Sequence, residues 1–208
     1  MDKQKKVVNF MLIEKNDQVP CLWIYKDAID VGDVIDLIEE QTKKEWAYVE
    51  WGPSGTGGQG EMIQNEYRSS LELDLGIFLA ETSNPDLVDL HEKLINNIML
   101  PLDQCVWDYR NSLDLVLQSD SGYHLLKYQD GAEYHIHHDH GPDNKRVLSM
   151  VACLSDGFVG GELEFPYFNT TIKLEKNSIA FFPSNFPYSH IAHPVTEGVK
   201  YSMVTWFV

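Results

Sequence analysis

From Gly122 to its end, the chain is a succession of short segments rich in β-branched and aromatic residues, separated by turns of Gly, Pro, Asn and Asp. This texture is typical of strands. Eight strands are predicted, near residues 123–128, 133–138, 147–154, 161–166, 170–174, 178–183, 187–193 and 199–207. No helical segment separates them, and such a run favours a sandwich or jelly roll. The second half of the chain must therefore bury its core between layers of sheet.

The first half mixes strands and helices. Short strands are predicted at 7–13, 21–25 and Trp46–Trp51. In 30–43, apolar residues recur with the period of one helix face, which predicts a helix. A second helix is predicted to begin at Asn84, because Asn is a favoured N-cap and a proline follows it at the first helical position.

The apolar stripe of this second helix consists of Leu87, Leu90, Leu94, Ile95 and Ile98. Pro101 is predicted to end or kink it, because proline lacks the N–H that a helix interior needs. One or two further helical turns are expected to carry Cys105 and Trp107.

Length and composition indicate an ordinary globular protein. The 208 residues, 43% apolar and 23% charged, favour one domain over 1–208, with strands and helices in 1–121 and the sheet core in 122–208. The predicted fold class is α+β, mainly β, with the N-terminal helices packed on one sheet.

The net charge of −16 predicts a surface that repels nucleic-acid backbones and anionic membranes. No apolar run approaches the length of a membrane span. Three widely spaced cysteines, Cys21, Cys105 and Cys153, indicate reduced thiols and a cytoplasmic location. The N-terminal residues are interpreted as a first strand rather than a signal peptide.

A glycine-rich segment at 52–60 contains the spacing G-x-G-x-x-G. A dinucleotide fingerprint must open a helix inside a βαβ unit, but residues 61–75 alternate more like a strand. We interpret 52–60 as a loop, and one of this length could cover a site.

A histidine-rich run carries the chemistry. His137 and Asp139 lie two residues apart, so in an extended chain they face one side, which His135 shares while His138 and His140 face away. A His-x-Asp pair with one distant His is the ligand set of a non-haem Fe(II) centre. The alternative is a group of surface histidines near a turn.

The motifs of 122–208 resemble the catalytic core of the Fe(II)/2-oxoglutarate-dependent dioxygenases, in their prolyl 4-hydroxylase-like branch. The first shared pattern is Tyr-x-x-Gly-x-x-Tyr-x-x-His-x-Asp, which begins at Tyr128 and ends at Asp139. Gly160–Phe165 and Phe181–Pro183 match the second and third. The fourth runs from His190 through a Pro-Val pair to Lys200. The resemblance implies a double-stranded β-helix, or jelly roll.

The resemblance also implies roles for these residues. His137, Asp139 and His190 would hold Fe(II) and leave positions for 2-oxoglutarate and O2. Lys200 would pair with the distal carboxylate of 2-oxoglutarate as a compact charge. Tyr128 would donate its hydroxyl to that carboxylate. Ascorbate would serve as the reductant, because uncoupled cycles oxidise the iron.

Further residues are expected around the pocket. Strand alternation puts Ser202 and Trp206 on the inward face with Lys200, so Trp206 would either wall the co-substrate pocket or pack in the core. Arg68 resembles a strand arginine that faces substrate, the alternative being a surface arginine. Tyr134 is the other candidate for a substrate contact.

The implied activity is hydroxylation of an unactivated C–H bond, with succinate and CO2 as co-products and peptidyl proline as the favoured target. A peptide or protein substrate is therefore expected. The same chemistry on a free amino acid, another protein side chain or a small metabolite is the alternative. A more distant alternative is a non-catalytic metal-binding jelly-roll module, and the acidic charge disfavours a nucleobase-repair enzyme.

Overall fold

The computed structural model describes residues 12–44, 50–54, 67–80, 84 and 87–208. Its strands are β1 (Leu12–Lys15), β2 (Trp23–Lys26), β3 (Gly52–Pro53), β4 (Leu71–Asp74), β5 (His124–Tyr128), β6 (Tyr134–His137), β7 (Leu148–Cys153), β8 (Val159–Gly160), β9 (Leu163–Phe165), β10 (Thr170–Ile172), β11 (Ile179–Pro183), β12 (His190–Ala192), β13 (Val195–Glu197) and β14 (Lys200–Phe207). The helices are α1 (Val34–Thr42), α2 (Gly76–Ala80), α3 (Val88–Lys93) and α4 (Leu100–Ser112), with a π-helical segment at Leu94–Met99.

The strands form one large and one smaller sheet. The large sheet has eight strands in the order β1-β2-β11-β7-β14-β5-β4-β3, and the smaller has four in the order β10-β9-β12-β6. A short pair, β13 and β8, completes the set. The neighbours pair antiparallel. This is the expected jelly-roll core, and the mainly β fold class is confirmed.

The large sheet is buried on both faces, which explains the uninterrupted apolar sequence of β11. Phe181 belongs to the core formed with the helices, which includes Ile38 and Leu94. Its neighbour Phe182 points the opposite way, into the core between the two sheets with Phe165. Successive side chains of a strand alternate between faces, so alternate residues of β11 pack into different cores. The N-terminal helices thus cover one face of the large sheet, as predicted.

The helix around Pro101 differs from the prediction. The helix does not end at Pro101, because α4 begins at Leu100 and continues to Ser112. The further turns that were predicted to carry Cys105 and Trp107 are therefore present and longer than expected. The residues before it, Leu94–Met99, form the π-helical segment. A widened turn accommodates the missing N–H and the bulk of the proline ring, so the helical path continues through it. Leu90, Leu94 and Ile98 are buried along the predicted stripe.

The predicted strands of 122–208 are all present, most of them shorter than expected. The sequence pattern missed β8 and β13, which have two and three residues. In the first half, α1 and β2 lie where a helix and a strand were predicted. Residues 1–11, 45–49 and 55–66 lie outside the described residues, and with them most of the first strand, most of Trp46–Trp51 and most of the glycine loop. None of the helices in the described part of the chain has the length and apolar composition that crossing a membrane requires.

Candidate metal centre and adjoining pocket

Two strands of the smaller sheet bring the three predicted ligands together. His137 ends β6 and His190 begins β12, and the two residues are directly paired in the sheet. Asp139 follows β6 after one residue. The nearest ligand atoms of His137, Asp139 and His190 all lie within 4.8 Å of one another. Residues separated by about fifty positions therefore meet because one sheet pairs them.

Hydrogen bonds orient both imidazoles toward the carboxylate. The Nδ1 of His137 lies 2.8 Å from the carbonyl oxygen of His135, and the Nδ1 of His190 lies 3.1 Å from that of Tyr188. A carbonyl only accepts, so each Nδ1 carries the proton and donates it. Each Nε2 is then free to act as a ligand, and metal-bound histidines usually donate their other ring N–H to a backbone carbonyl in this way.

The spacing between the ligand atoms fits an ion. The Nε2 of His137 lies 3.7 Å from Asp139 Oδ1, and the Nε2 of His190 lies 3.8 Å from Asp139 Oδ2. These separations exceed a hydrogen bond. Two imidazole nitrogens and one carboxylate, with no further protein ligand from the described residues, form the set that binds non-haem Fe(II) and leaves coordination positions open.

Burial and the neighbouring His190 keep the His137 imidazole neutral. Burial, helped by the nearby His190, lowers the pKa of His137 to about 3. Burial alone would raise the pKa of Asp139, but His190, His137 and hydrogen bonds from Ser149 and Trp206 outweigh it and lower that pKa. A neutral imidazole at His137 and an ionised carboxylate at Asp139 are the protonation states that a cation requires of these ligands.

Two neighbours that sequence reasoning missed hold the carboxylate in place. The Ser149 hydroxyl donates to Asp139 Oδ2 over 2.6 Å and lies 2.8 Å from the hydroxyl of Ser184. The amide of Asp139 donates to the Ser184 carbonyl over 3.0 Å. Ser149 lies on β7 and Ser184 just after β11, so only the pairing of those strands in the large sheet reveals them.

A pocket extends from the three ligands into the space between the sheets, and Lys200 lines it. Lys200 is only 7% exposed, and its ammonium donates to the Gly161 carbonyl over 2.6 Å. Burial lowers its pKa. Ser202, two residues further on the same face, is 2% exposed and its hydroxyl has no partner among the described residues. A buried ammonium and an unpartnered hydroxyl on the same face of a strand can together bind a carboxylate.

The other predicted residues also line this pocket. Tyr128 is buried, with its hydroxyl bonded to Ser70, and its ring centroid lies 5.5 Å from the Lys200 ammonium. Trp206 lies beside the ligands as well, hydrogen-bonded to Asp139. It therefore both walls the pocket and supports a ligand.

Arg68 and Tyr134 contact each other next to the ligand His137. Arg68 is 6% exposed rather than a surface arginine, and it forms an ion pair with Glu72 at 3.4 Å. Its guanidinium lies 4.7 Å from the centroid of the Tyr134 ring. That ring stacks on His137 with centroids 3.5 Å apart and planes 15° from parallel. Both residues line the pocket.

The remaining histidines of the motif lie outside the cluster. His135 approaches Glu133 at 3.3 Å and the ring of Tyr67 at 5.3 Å. His138 is exposed. His193, three residues beyond His190, pairs with Glu164 at 2.7 Å. The strand pairing of His190 with His137, rather than composition, selects the ligand.

Comparisons with known proteins agree with this geometry. The family model of the 2OG-Fe(II) oxygenase superfamily matches residues 123–208. No curated protein matches the chain in sequence. Among solved structures, a Pseudomonas putida prolyl-4-hydroxylase is similar with a TM-score of 0.61 and 18% identity, covering 89% of this chain and 91% of its own.

Two further structures share the fold. A viral collagen prolyl hydroxylase from Paramecium Bursaria Chlorella virus-1, in its 2OG complex, has a TM-score of 0.57 and 16% identity and covers 89% of this chain and 94% of its own. A prolyl hydroxylase from Trichoplax adhaerens, in complex with a peptide fragment of the hypoxia inducible factor oxygen degradation domain, has a TM-score of 0.60 and 13% identity, covering 89% and 82%. Residues 123–208 thus match the family model of the 2OG-Fe(II) oxygenase superfamily, and the chain shares its fold with three prolyl hydroxylases.

Proposed function

We propose that this protein is a 2-oxoglutarate-dependent peptidyl-proline hydroxylase in which His137, Asp139 and His190 hold Fe(II). The observation that carries the proposal is that one pocket is lined both by these three ligands and by the buried Lys200. When bound, Fe(II) with 2-oxoglutarate and O2 supplies oxidation of an unactivated C–H bond, with succinate and CO2 as co-products.

The chain's own residues bind and orient the co-substrate. Lys200 pairs with the distal carboxylate of 2-oxoglutarate, and the unpartnered hydroxyl of Ser202 is available to the same group. Tyr128 donates its hydroxyl from the facing strand, since Lys200 and Tyr128 are paired between β14 and β5. In an enclosed pocket such charge pairs are stronger than in water, so the co-substrate is held in one orientation.

The apolar walls of the pocket exclude water. The pocket is also lined by apolar side chains, namely Leu126, Met150, Val204 and Trp206. Exclusion of water protects the oxidation from side reactions. Ascorbate is the reductant that we expect to restore the iron after cycles that do not reach substrate.

Two residues that line the pocket, together with the fold, support a peptide substrate. Arg68 and Tyr134 lie beside His137 and are the residues that we propose contact the substrate. The three similar structures are prolyl hydroxylases, and one of them was solved with a peptide. A free amino acid, another side chain or a small metabolite would use the same ligands, so the substrate has to be measured.

The test is formation of succinate from 2-oxoglutarate with Fe(II), in the presence and absence of a panel of proline-rich peptides. We expect peptide-stimulated succinate and a mass gain of one oxygen on a peptide. Asp139→Ala is expected to abolish both, because it removes one ligand and leaves the fold. Succinate that depends on Asp139 but that no peptide stimulates would assign the chemistry to a smaller substrate. Absence of any succinate would leave a metal-binding module without turnover.

A further inference from the structure

Two loops border the metal centre at the edge of the smaller sheet. One is the 3-10 turn Pro166–Phe168, which follows β9. The other, residues 184–189, joins β11 to β12. β9 is paired with β12, with Glu164 opposite Ile191, so the end of β9 lies beside the start of β12 at His190. Both loops are therefore at the end of the sheet that carries the ligands.

The second loop also contacts the ligands directly. The Ser184 carbonyl accepts from the amides of Asp139 at 3.0 Å and His140 at 2.9 Å. The Tyr188 carbonyl accepts from the ring of His190. Phe186 lies between these two residues in the sequence, on the same loop that contacts the ligands.

The two loops hold a pair of exposed aromatic rings. Tyr167 is 59% exposed and Phe186 is 64% exposed. Their ring centroids are 5.0 Å apart and the planes meet at 74°. This edge-to-face pair forms an open corner with two apolar faces, which we call the aromatic corner.

A second aromatic pair fixes the aromatic corner to the core. The second pair is Phe168 and Tyr188, whose ring centroids are 5.2 Å apart. Phe168 directly follows Tyr167, and Tyr188 is two residues after Phe186. Both pack against the buried cluster between the sheets. The exposed rings are thus carried on anchored loops, and binding against them costs little ordering of the chain.

The two segments that carry the aromatic corner contain no charged residues, in contrast to the rest of the chain. Residues 165–172 and 177–196 contain no Asp, Glu, Lys or Arg, although the chain carries 48 such residues in total and a net charge of −16. Exposed aromatic rings in a neutral rim match a neutral, apolar ligand. A charged partner would find no opposite charge in either segment.

We propose that the aromatic corner of Tyr167 and Phe186 is a second subsite, which binds a proline ring in the extended segment flanking the target residue of the peptide substrate. This inference rests on the proposed function. Proline-rich segments adopt the polyproline II conformation without internal hydrogen bonds, and they dock against aromatic-lined surfaces with little loss of entropy. The subsite would make the enzyme prefer long proline-containing peptides to short ones.

The test has two arms that use the full chain with Tyr167→Ser and Phe186→Ser combined. In the first, binding of a labelled oligoproline of about ten residues, roughly 30 Å long in the polyproline II form, is measured by fluorescence anisotropy. The double variant is expected to weaken binding at least about tenfold, since aromatic side chains are often the anchors that carry most of the binding energy of an interface. Trp107→Ser is the matched control, because Trp107 is an aromatic side chain on α4 that is 67% exposed.

In the second arm, kcat/KM is compared for a long and a short peptide that share the same target proline. The double variant is expected to lose about tenfold in the ratio of long to short. The Trp107→Ser variant should keep the wild-type ratio. An unchanged ratio together with unchanged oligoproline affinity would overturn the subsite while peptide hydroxylation still stands. Oligoproline binding that the double variant loses, in a protein that hydroxylates no peptide, would instead overturn the proposed function and retain the aromatic corner as a binding site.

Discussion

At the residue scale, Lys200 is the clearest example of a charged side chain that burial prepares to bind an opposite charge. Its ammonium is enclosed and contacts one carbonyl, that of Gly161. A charge held this way costs free energy, and a carboxylate in the adjoining pocket would offset that cost. The same enclosure makes the residue sensitive to substitution.

Lys200→Ala is expected to raise the KM for 2-oxoglutarate at least about 30-fold, because truncating one member of a buried charge pair costs about 2 kcal/mol or more. The measurement is succinate formation against co-substrate concentration. Lys173→Ala is the control, since that lysine is half-exposed and pairs loosely with Glu162 at 3.9 Å. An unchanged KM for Lys200→Ala would remove the residue from the co-substrate site.

Ser149 illustrates a residue that acts through another. Ser149→Ala removes the hydrogen bond to Asp139 Oδ2 and is expected to weaken Fe(II) binding about 10- to 100-fold. The readout is the metal dissociation constant, measured by titration without substrate. Thr205→Val deletes a comparably buried hydroxyl, bonded to the Gly122 carbonyl, and should leave metal affinity unchanged. Equal metal affinities for Ser149→Ala and the wild type would mean that Asp139 needs no such support.

At the element scale, the short strands β8 and β13 depend on a close backbone approach. Gly160 has a φ of +85°, and a Cβ there would lie 2.1 Å from the Pro194 carbonyl oxygen. The next residue, Gly161, offers its carbonyl to Lys200. The glycine pair therefore connects the short β8–β13 pair to the pocket that Lys200 lines.

Gly160→Ala is expected to lower the free energy of unfolding by more than the matched Gly131→Ala. Gly131 has a φ of +82° but nothing within 4 Å of an added Cβ, so its substitution costs only the left-handed strain, about 1–2 kcal/mol. Gly160→Ala adds a clash with backbone. The comparison is made by urea denaturation, and similar losses for the two variants would show that the Pro194 contact relaxes easily.

At the scale of the whole molecule, strands from the first half of the chain complete the sheet of the second half. β2 pairs with β11, and β4 pairs with β5. Glu39 of α1 also accepts hydrogen bonds from Lys127 and Tyr201 on the large sheet, at 2.8 and 2.7 Å. We therefore propose that the two halves form one folding unit.

This proposal predicts one cooperative transition in urea. Far-UV circular dichroism, dominated by the helices, and near-UV circular dichroism, which reports aromatic packing in the sheets, should give coincident curves. Two separated transitions would indicate that the helical half unfolds independently.

The sequence by itself determined the candidate metal ligands and the strand content of 122–208. The His-x-Asp pair, the distant histidine and Lys200 are recognisable because motif spacing is local, and the strands because alternation and turn residues are local. The uninterrupted helical path through Pro101 was not predictable in this way, because the π-helical segment before it is a property of the packed helix rather than of its composition.

Only the tertiary structure decided how the site is supported. Ser149 and Ser184 reach Asp139 through the pairing of β7 and β11, and the aromatic corner joins two loops about twenty residues apart. Arg68 is buried against Tyr134 although nothing near it in the sequence predicts burial. These contacts link residues distant in the chain, and their positions follow from sheet register, which local patterns do not specify.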